Sequence, residues 1–460
     1  MPSCRPALAA LAALVLSAVP LVAPLAAQAP APPAAGAPDS LPIDTVAAQR
    51  AFAQARAVAM RDGGGLWGVR LDTPLLIADP QSRVAVAARP DAEGRLAARG
   101  SLYVGVLPPQ VPIANTASEW AGTRWTMVVW PLPADTAARG RLLAHELFHG
   151  AQPALGFVPT DPANVHLDRR DGRLWLRLEL RALRAALTTR GPARRTAIAD
   201  ALRFRAYRRA LAPGADSTER ALELNEGLAA YTGARLEAAT AAELAAEALR
   251  ELARVDTLPS LVRGFAYGTG PAYGALLDAR DASRASGASG GRWRRELRAA
   301  AAAKRPAPDL AALLAHALRL PPARPDSMAA LQRARAYGYA ELARVEDARE
   351  ARRVARQAEL RRRFVEGPVL VLPLAQMRIQ MNPGTVETLD GEGTIYPAAR
   401  LGDRWGVLDV RSGGLLVGSG WDHAVVPLGP DARDGWTLEL SDGWRLAPGA
   451  RAGDSTVVAR

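Results

Sequence analysis

Two histidines, His145 and His149, stand four residues apart in the string LLAHELFHG, with Glu146 directly after the first. On a helix that spacing projects both imidazoles from one face, about one turn apart, where they can ligate a single zinc ion. Glu146 then lies beside the metal, placed to take a proton from a water whose pKa zinc lowers to roughly 7. The chemistry these types and spacing point to is hydrolysis. A pattern with two free positions also arises by chance, as a structural helix with two solvated histidines. Against that, the chain has only 5 histidines and places two of them here. Asp135, just beyond the Pro131/Pro133 segment, reads as the N-cap of the helix and Gly150 as its C-cap.

A catalytic zinc site needs three protein ligands and an open fourth position. Downstream, ALELNEGLAAYTG puts Glu226 on another predicted helix, begun near Ser217 or Thr218 and carrying Leu222, Leu228 and Ala229. An exposed helix carboxylate is the plain alternative. The pairing of HELFH with NEGLAAY resembles the gluzincin branch of zinc metallopeptidases, in which the third ligand is a glutamate on a helix after the H-E-x-x-H helix. The resemblance implies His145, His149 and Glu226 as ligands of one Zn2+ and Glu146 as general base. The metzincin pattern fails at the residues, since it needs glycine and histidine where this chain has Gln152 and Leu155.

Peptide hydrolysis also calls for a donor to the developing oxyanion. Within RGFAYGTGPAYGALLD, Y-G-T-G resembles the Y-x-x-G element that carries a catalytic tyrosine in the aminopeptidase part of the gluzincins, so Tyr267 is the first candidate. Tyr231 and Tyr273 stand behind it, and all three also read as packing tyrosines. The resemblance covers roughly residues 125–278. It lacks the G-x-M-E-N element that binds a substrate's amino terminus, and Ala230 stands where thermolysin-like enzymes carry an aspartate that supports the first histidine. Support for the ligands must therefore come from elsewhere.

These residues need a scaffold. Short apolar runs near Trp67, Leu75, Val84, Tyr103 and Trp125, separated by turn residues, predict a small N-terminal sheet after a helix from about Asp44 to Met60. WTMVVWPL, beginning at Trp125, is a candidate for the edge strand that pairs with extended substrate, although edge position leaves no mark in the sequence and a structural sheet without substrate contact is equally compatible. From Thr136 to about Arg363 the periodicity is helical: Leu174–Leu187 is one helix, Thr240 with Glu243 forms a capping box, and Ser327 opens a long Arg/Ala-rich helix with solvated charges running to about Phe364. Glu179 reads as an arginine-paired carboxylate, with support of a ligand as the alternative. From Gly367 short β-rich runs take over, with Trp405, Trp421, Trp436 and Trp444 for a core. The expected class is α+β: a zincin-like, mostly helical catalytic domain over 44–366 with a small N-terminal sheet, then an all-β, sandwich-like domain over 367–460. His316 reads as a core or helix-face residue, His423 as a surface or turn residue, and His166 as a possible hydrogen-bonding partner of substrate.

Residues 1–29 read as a secretory signal peptide, with Arg5, an apolar run from Ala7 to Val22, and Ala27-Gln28-Ala29 as the cleavage site. A Pro/Ala-rich linker follows over 30–43. Cys4 is the sole cysteine, so the mature chain has neither a disulfide nor a thiol to mask zinc, which suits a bacterial periplasm or exterior. A net charge of +12 would suggest nucleic acid, but the arginines are scattered and no stacking aromatics interleave with them. The expected partner is a peptide or protein substrate, with no nucleic acid and no transmembrane segment in the mature chain. A metal-bearing scaffold without turnover, or a hydrolase of another amide or ester, are the competing classes. Oligomeric state leaves no mark in the sequence.

Overall fold

The computed structural model describes residues 41–108, 111–282, 291–381, 386–429 and 435–460. The expected signal peptide and the linker up to residue 40 lie outside them. Helix α1 (Thr45–Asp62) is capped by Asp44, whose carboxylate accepts from the Val46 and Ala47 amides, and it buries Ala48, Ala51, Phe52, Ala55, Val58 and Ala59 on one face. The Trp67 run is a turn and not a strand. Gly64 and Gly68 sit at positive φ and bend the chain there, while Trp67 is buried and its indole N–H donates to Thr232 Oγ1 at 2.9 Å.

Six strands follow: β1 (Leu75–Ala78), β2 (Val84–Ala87), β3 (Ala97–Arg99), β4 (Leu102–Val106), β5 (Thr116–Trp120) and β6 (Thr123–Val129), in the sheet order β3-β4-β2-β1-β6-β5. Leu75 and Ile77 of β1 face the helical core while Leu76 and Ala78 face a second small core with Trp125 and Met127, which is why these strands read as unbroken apolar runs. β6 is an interior strand, parallel to β1 and antiparallel to β5, so it is not the edge strand for which it was a candidate. The edges are β3 and β5; the one beside β6 is β5, whose TASEW sequence lacks the alternation that would have marked it.

The helices are α2 (Thr136–Leu155), α3 (Arg170–Thr188), α4 (Gly191–Ala210), α5 (Ala215–Leu222), α6 (Leu228–Glu237), α7 (Ala241–Asp256), α8 (Phe265–Ala282), α9 (Arg292–Ala302), α10 (Leu310–Leu318), α11 (Ser327–Ala334) and α12 (Tyr339–Arg361). One hydrophobic core joins them to the inner face of the sheet. Asp135 caps α2 as expected, but Gly150 does not end it. The helix runs on through Pro153 to Gly156, which holds the left-handed conformation at φ 78°. Gly150 serves packing instead: a Cβ there would lie 2.3 Å from Thr73 Oγ1 and 2.6 Å from Thr126 Oγ1, so only glycine lets α2 lie this close to the sheet. The long helix expected from Ser327 is broken at Gly338 (φ 79°). Its charges are not merely solvated either, since Arg353, Arg356 and Arg361 of α12 pair with Asp390, Glu387 and Glu392.

Those three acids belong to the C-terminal β region. Among the described residues, eleven strands from Val369 to Ala459 form a seven-stranded and a four-stranded sheet that enclose one core, and Trp405 lies inside it. The outer face of the larger sheet packs on Leu360 and Phe364 at the end of α12. Trp436 and Trp444 border the core, whereas Trp421 is exposed on a turn. The chain is thus mixed α and β, with a helical region ahead of a C-terminal sheet region. No helix among the described residues is long and apolar enough to cross a membrane.

Candidate metal centre

His145, Glu146 and His149 lie on the α2 face turned toward α6 and α8. The segment that meets them is irregular: α5 and α6 form one helical run interrupted by a π turn, Glu223–Gly227, which carries Glu226. Two things hold this turn. Arg205, fully buried, grips Glu223 with both terminal nitrogens, at 2.9 and 2.7 Å, and Thr269 of α8 donates to the same carboxylate at 2.6 Å. Behind it, Gly270 of α8 lies against Gly227, where a Cβ would come within 2.2 Å of the Gly227 carbonyl oxygen. The second glycine of Y-G-T-G is therefore a helix-crossing residue, and the crossing sets Tyr267 beside Glu226.

His145 Nε2 and His149 Nε2 are 3.0 Å apart, and Glu226 Oε2 lies 3.5 Å from the first and 3.7 Å from the second. Zinc bonds to nitrogen and oxygen of roughly 2.0–2.1 Å place tetrahedral donors about 3.3 Å apart, so the three atoms match the edges of such a site. These three residues form the one His/Cys/Asp/Glu group that could hold a metal among the described residues. Glu146 is buried beside them, its Oε1 3.8 Å from His145 Nε2 and its Oε2 accepting no hydrogen bond. A buried carboxylate oxygen without a donor is costly in a purely structural role. The donor set and this orphaned oxygen both fit a zinc site with an adjacent base.

The electrostatics divide the two glutamates. Burial pushes the Glu146 carboxyl above its ordinary range, with the Glu226 charge adding to the shift against the opposing histidines. Burial acts on Glu226 in the same sense but is outweighed by hydrogen bonds with His145, His149 and Tyr267, which hold it well below the carboxylate range. His149 is buried too, yet Glu226 and Gln152 lift its pKa.

Tyr267 stacks on His145, the rings 5.7 Å apart and nearly parallel, and its hydroxyl donates to Glu226 Oε2 at 2.5 Å. Tyr231 and Tyr273 are elsewhere: both are fully buried, the first donating to Asp278 and the second to Glu179. His166 binds Glu219 at 2.8 Å and does not line the cleft, while Glu179 is paired with Arg205 and Arg208. His316 is exposed on α10, and His423 pairs with Asp422 on the β region.

Three residues escaped sequence reading. Gln152 Oε1 accepts from His149 Nδ1 at 2.9 Å, and the Gln152 amide donates to the Asn225 carbonyl and side-chain oxygens at 3.3 and 3.2 Å. This is the support for a ligand that Ala230 cannot supply. The position of Gln152 three residues after His149 puts it on the histidine face of α2, but its burial and its partner Asn225 leave no mark in the sequence. Arg263 donates to Glu226 Oε1 at 2.7 Å from just ahead of α8. His145, Glu146, His149, Glu226, Arg263 and Tyr267 line a cleft of about 300 Å3. A slightly larger groove of about 370 Å3, between α1 and residues 70–75, has no histidine in its lining, so chemistry and not volume locates the site.

No family model, curated protein or solved structure matches this chain.

Proposed function

We propose that this chain is an exported zinc-dependent peptidase, with a zincin-like catalytic region of gluzincin type followed by a sandwich-like β region. The observation that carries the reading is the convergence of His145 Nε2, His149 Nε2 and Glu226 Oε2 beside Glu146 in an open cleft. His145, His149 and Glu226 would hold a zinc ion, which when bound would supply Lewis acidity toward water and the scissile carbonyl. Glu146 is the general base. Its burial raises its proton affinity above that of an ordinary carboxylate, and its unpartnered Oε2 is free to take a proton and later return it to the leaving amine. Tyr267 has its hydroxyl at the cleft, where it serves as donor to the carbonyl oxygen as charge develops there. Gln152 fixes the tautomer and orientation of His149.

A second reading has its own support. Tyr267 and Arg263 already satisfy both Glu226 oxygens and the two histidines already face each other, as in a hydrogen-bonded knot within a binding or scaffold protein. Elemental mass spectrometry on the purified chain, beside Glu226→Ala, separates the two. About one zinc per chain, lost or sharply weakened in the variant, supports the peptidase reading and calls for a peptide-library assay. A parent chain that takes up no zinc on incubation with the metal leaves the knot.

A further inference from the structure

Arg263 stands half-exposed at the mouth of the cleft with its guanidinium between two carboxylates. One terminal nitrogen donates to Glu226 Oε1 at 2.7 Å and the other to Asp161. The two oxygens of Glu226 thereby receive different neighbours. Oε2 faces both histidine nitrogens and takes the Tyr267 hydroxyl; Oε1 takes the arginine at 2.7 Å and, at the longer distance of 3.4 Å, the Asn225 side-chain amide. A carboxylate left free can offer a metal either oxygen or both, and a second oxygen would fill a position that a catalytic site keeps open for water and substrate.

We propose that Arg263 is a positioning residue that reserves Oε1, so that Glu226 presents Oε2 alone to the metal, with Asp161 anchoring the guanidinium from the far side. This rests on the zinc reading above. The planar fork of arginine suits the task, since its donors hold two carboxylates at a fixed separation. Its charge does not suit the task, because a guanidinium beside a cation site repels the cation. The two effects predict opposite signs when Arg263 is removed, which makes the role measurable.

The experiment is zinc affinity by chelator competition, together with the visible spectrum of the cobalt-loaded protein, for the full chain, Arg263→Met, Asp161→Asn and the double variant. Arg263→Met is expected to weaken zinc binding by roughly 10–100-fold, as loss of a ligand's hydrogen-bonding partner does. It is also expected to lower the intensity of the cobalt bands as the coordination number rises. Asp161→Asn is expected to give a smaller loss of the same sign that disappears in the Arg263→Met background. Zinc binding that is unchanged or tighter in Arg263→Met overturns the proposal, and so does weaker binding with an unchanged cobalt spectrum, which marks a general loosening. Losses from Asp161→Asn and Arg263→Met that simply add overturn the anchoring by Asp161. A parent chain that binds no metal defeats the zinc reading and this inference with it.

Discussion

Glu223 and Glu226 lie three residues apart in one π turn, yet they belong to buried clusters built to opposite rules. On one side, Glu179, Glu219, Glu223 and Asp309 meet Arg205, Arg208 and Arg209, and every carboxylate oxygen is taken. Arg208 bridges Glu179 and Glu219, Arg205 bridges Glu179, Glu223 and Asp309, and Tyr273, Thr269 and His166 fill what is left. One donor, Arg209 Nη2, is unmatched. On the other side, two histidine nitrogens point at each other and Glu146 Oε2 has no donor at all. Buried charge of the first kind is satisfied and holds helices in register. Charge of the second kind carries a cost that a structural role does not repay, which is what separates a candidate site from a scaffold made of the same residue types.

The sharpest way to break that contrast is Glu146→Gln. Peptide hydrolysis should fall by about 10²–10⁴-fold, the range of a general base, while zinc stays bound. The same change should leave the metal-free protein as stable as before or more so, because burial makes the ionised carboxylate unfavourable in the fold. A drop in the urea midpoint of the apoprotein would show that Glu146 is structural. Next in size is Arg208→Met. Removing this fully buried arginine leaves Glu179 to Arg205 and Glu219 to Arg209, and unfolding in urea should show a loss of up to about 3–5 kcal/mol. A near-neutral result would mean that the network is dispensable and the contrast false.

Gln152→Leu sharpens the comparison from the site's side: zinc affinity by chelator competition should fall roughly 10–100-fold, since His149 loses its acceptor. Acid makes the gentlest test. Burial opposes ionisation of Glu179 and Glu219, but their arginines outweigh it and hold both carboxyls below the ordinary 4.5. The unfolded chain therefore binds more protons than the folded one as pH falls below about 4.5, and stability drains away in that window. The urea midpoint should be flat from pH 7 to about pH 5 as far as these groups are concerned, then drop; a midpoint rising below pH 4.5 would contradict the network's charge state.

How far the site was legible follows from where its parts lie on the chain. His145, Glu146 and His149 sit within one turn of one helix, so helical geometry alone brings them together. Glu226 and Tyr267 were reached through motif resemblance, and they do meet, because glycines 227 and 270 let their helices cross at contact. Gln152, Asn225 and Arg263 were invisible, as their roles depend on which rotamer faces which neighbour across separate elements. The strands of the C-terminal region announced themselves through short apolar runs bounded by Gly, Pro and Asp. The edge strand β5 did not, its five residues carrying neither face of an alternating pattern.

The sequence by itself determined the pieces governed by local rules: the α2 face with two histidines and a glutamate, the N-caps at Asp44 and Asp135, the helical middle and the β-rich end. Tertiary structure alone decided the π turn that aims Glu226, the interior place of β6, the role of Gly150 as a contact and not a cap, and the division of carboxylates between a satisfied network and a strained cleft. The reason is physical. Periodicity and capping act within a few residues of one another, whereas the satisfaction of a buried charge depends on partners a hundred or more residues away, as Asp309 is from Arg205 and Glu346 from Arg173, and no local pattern encodes that distance.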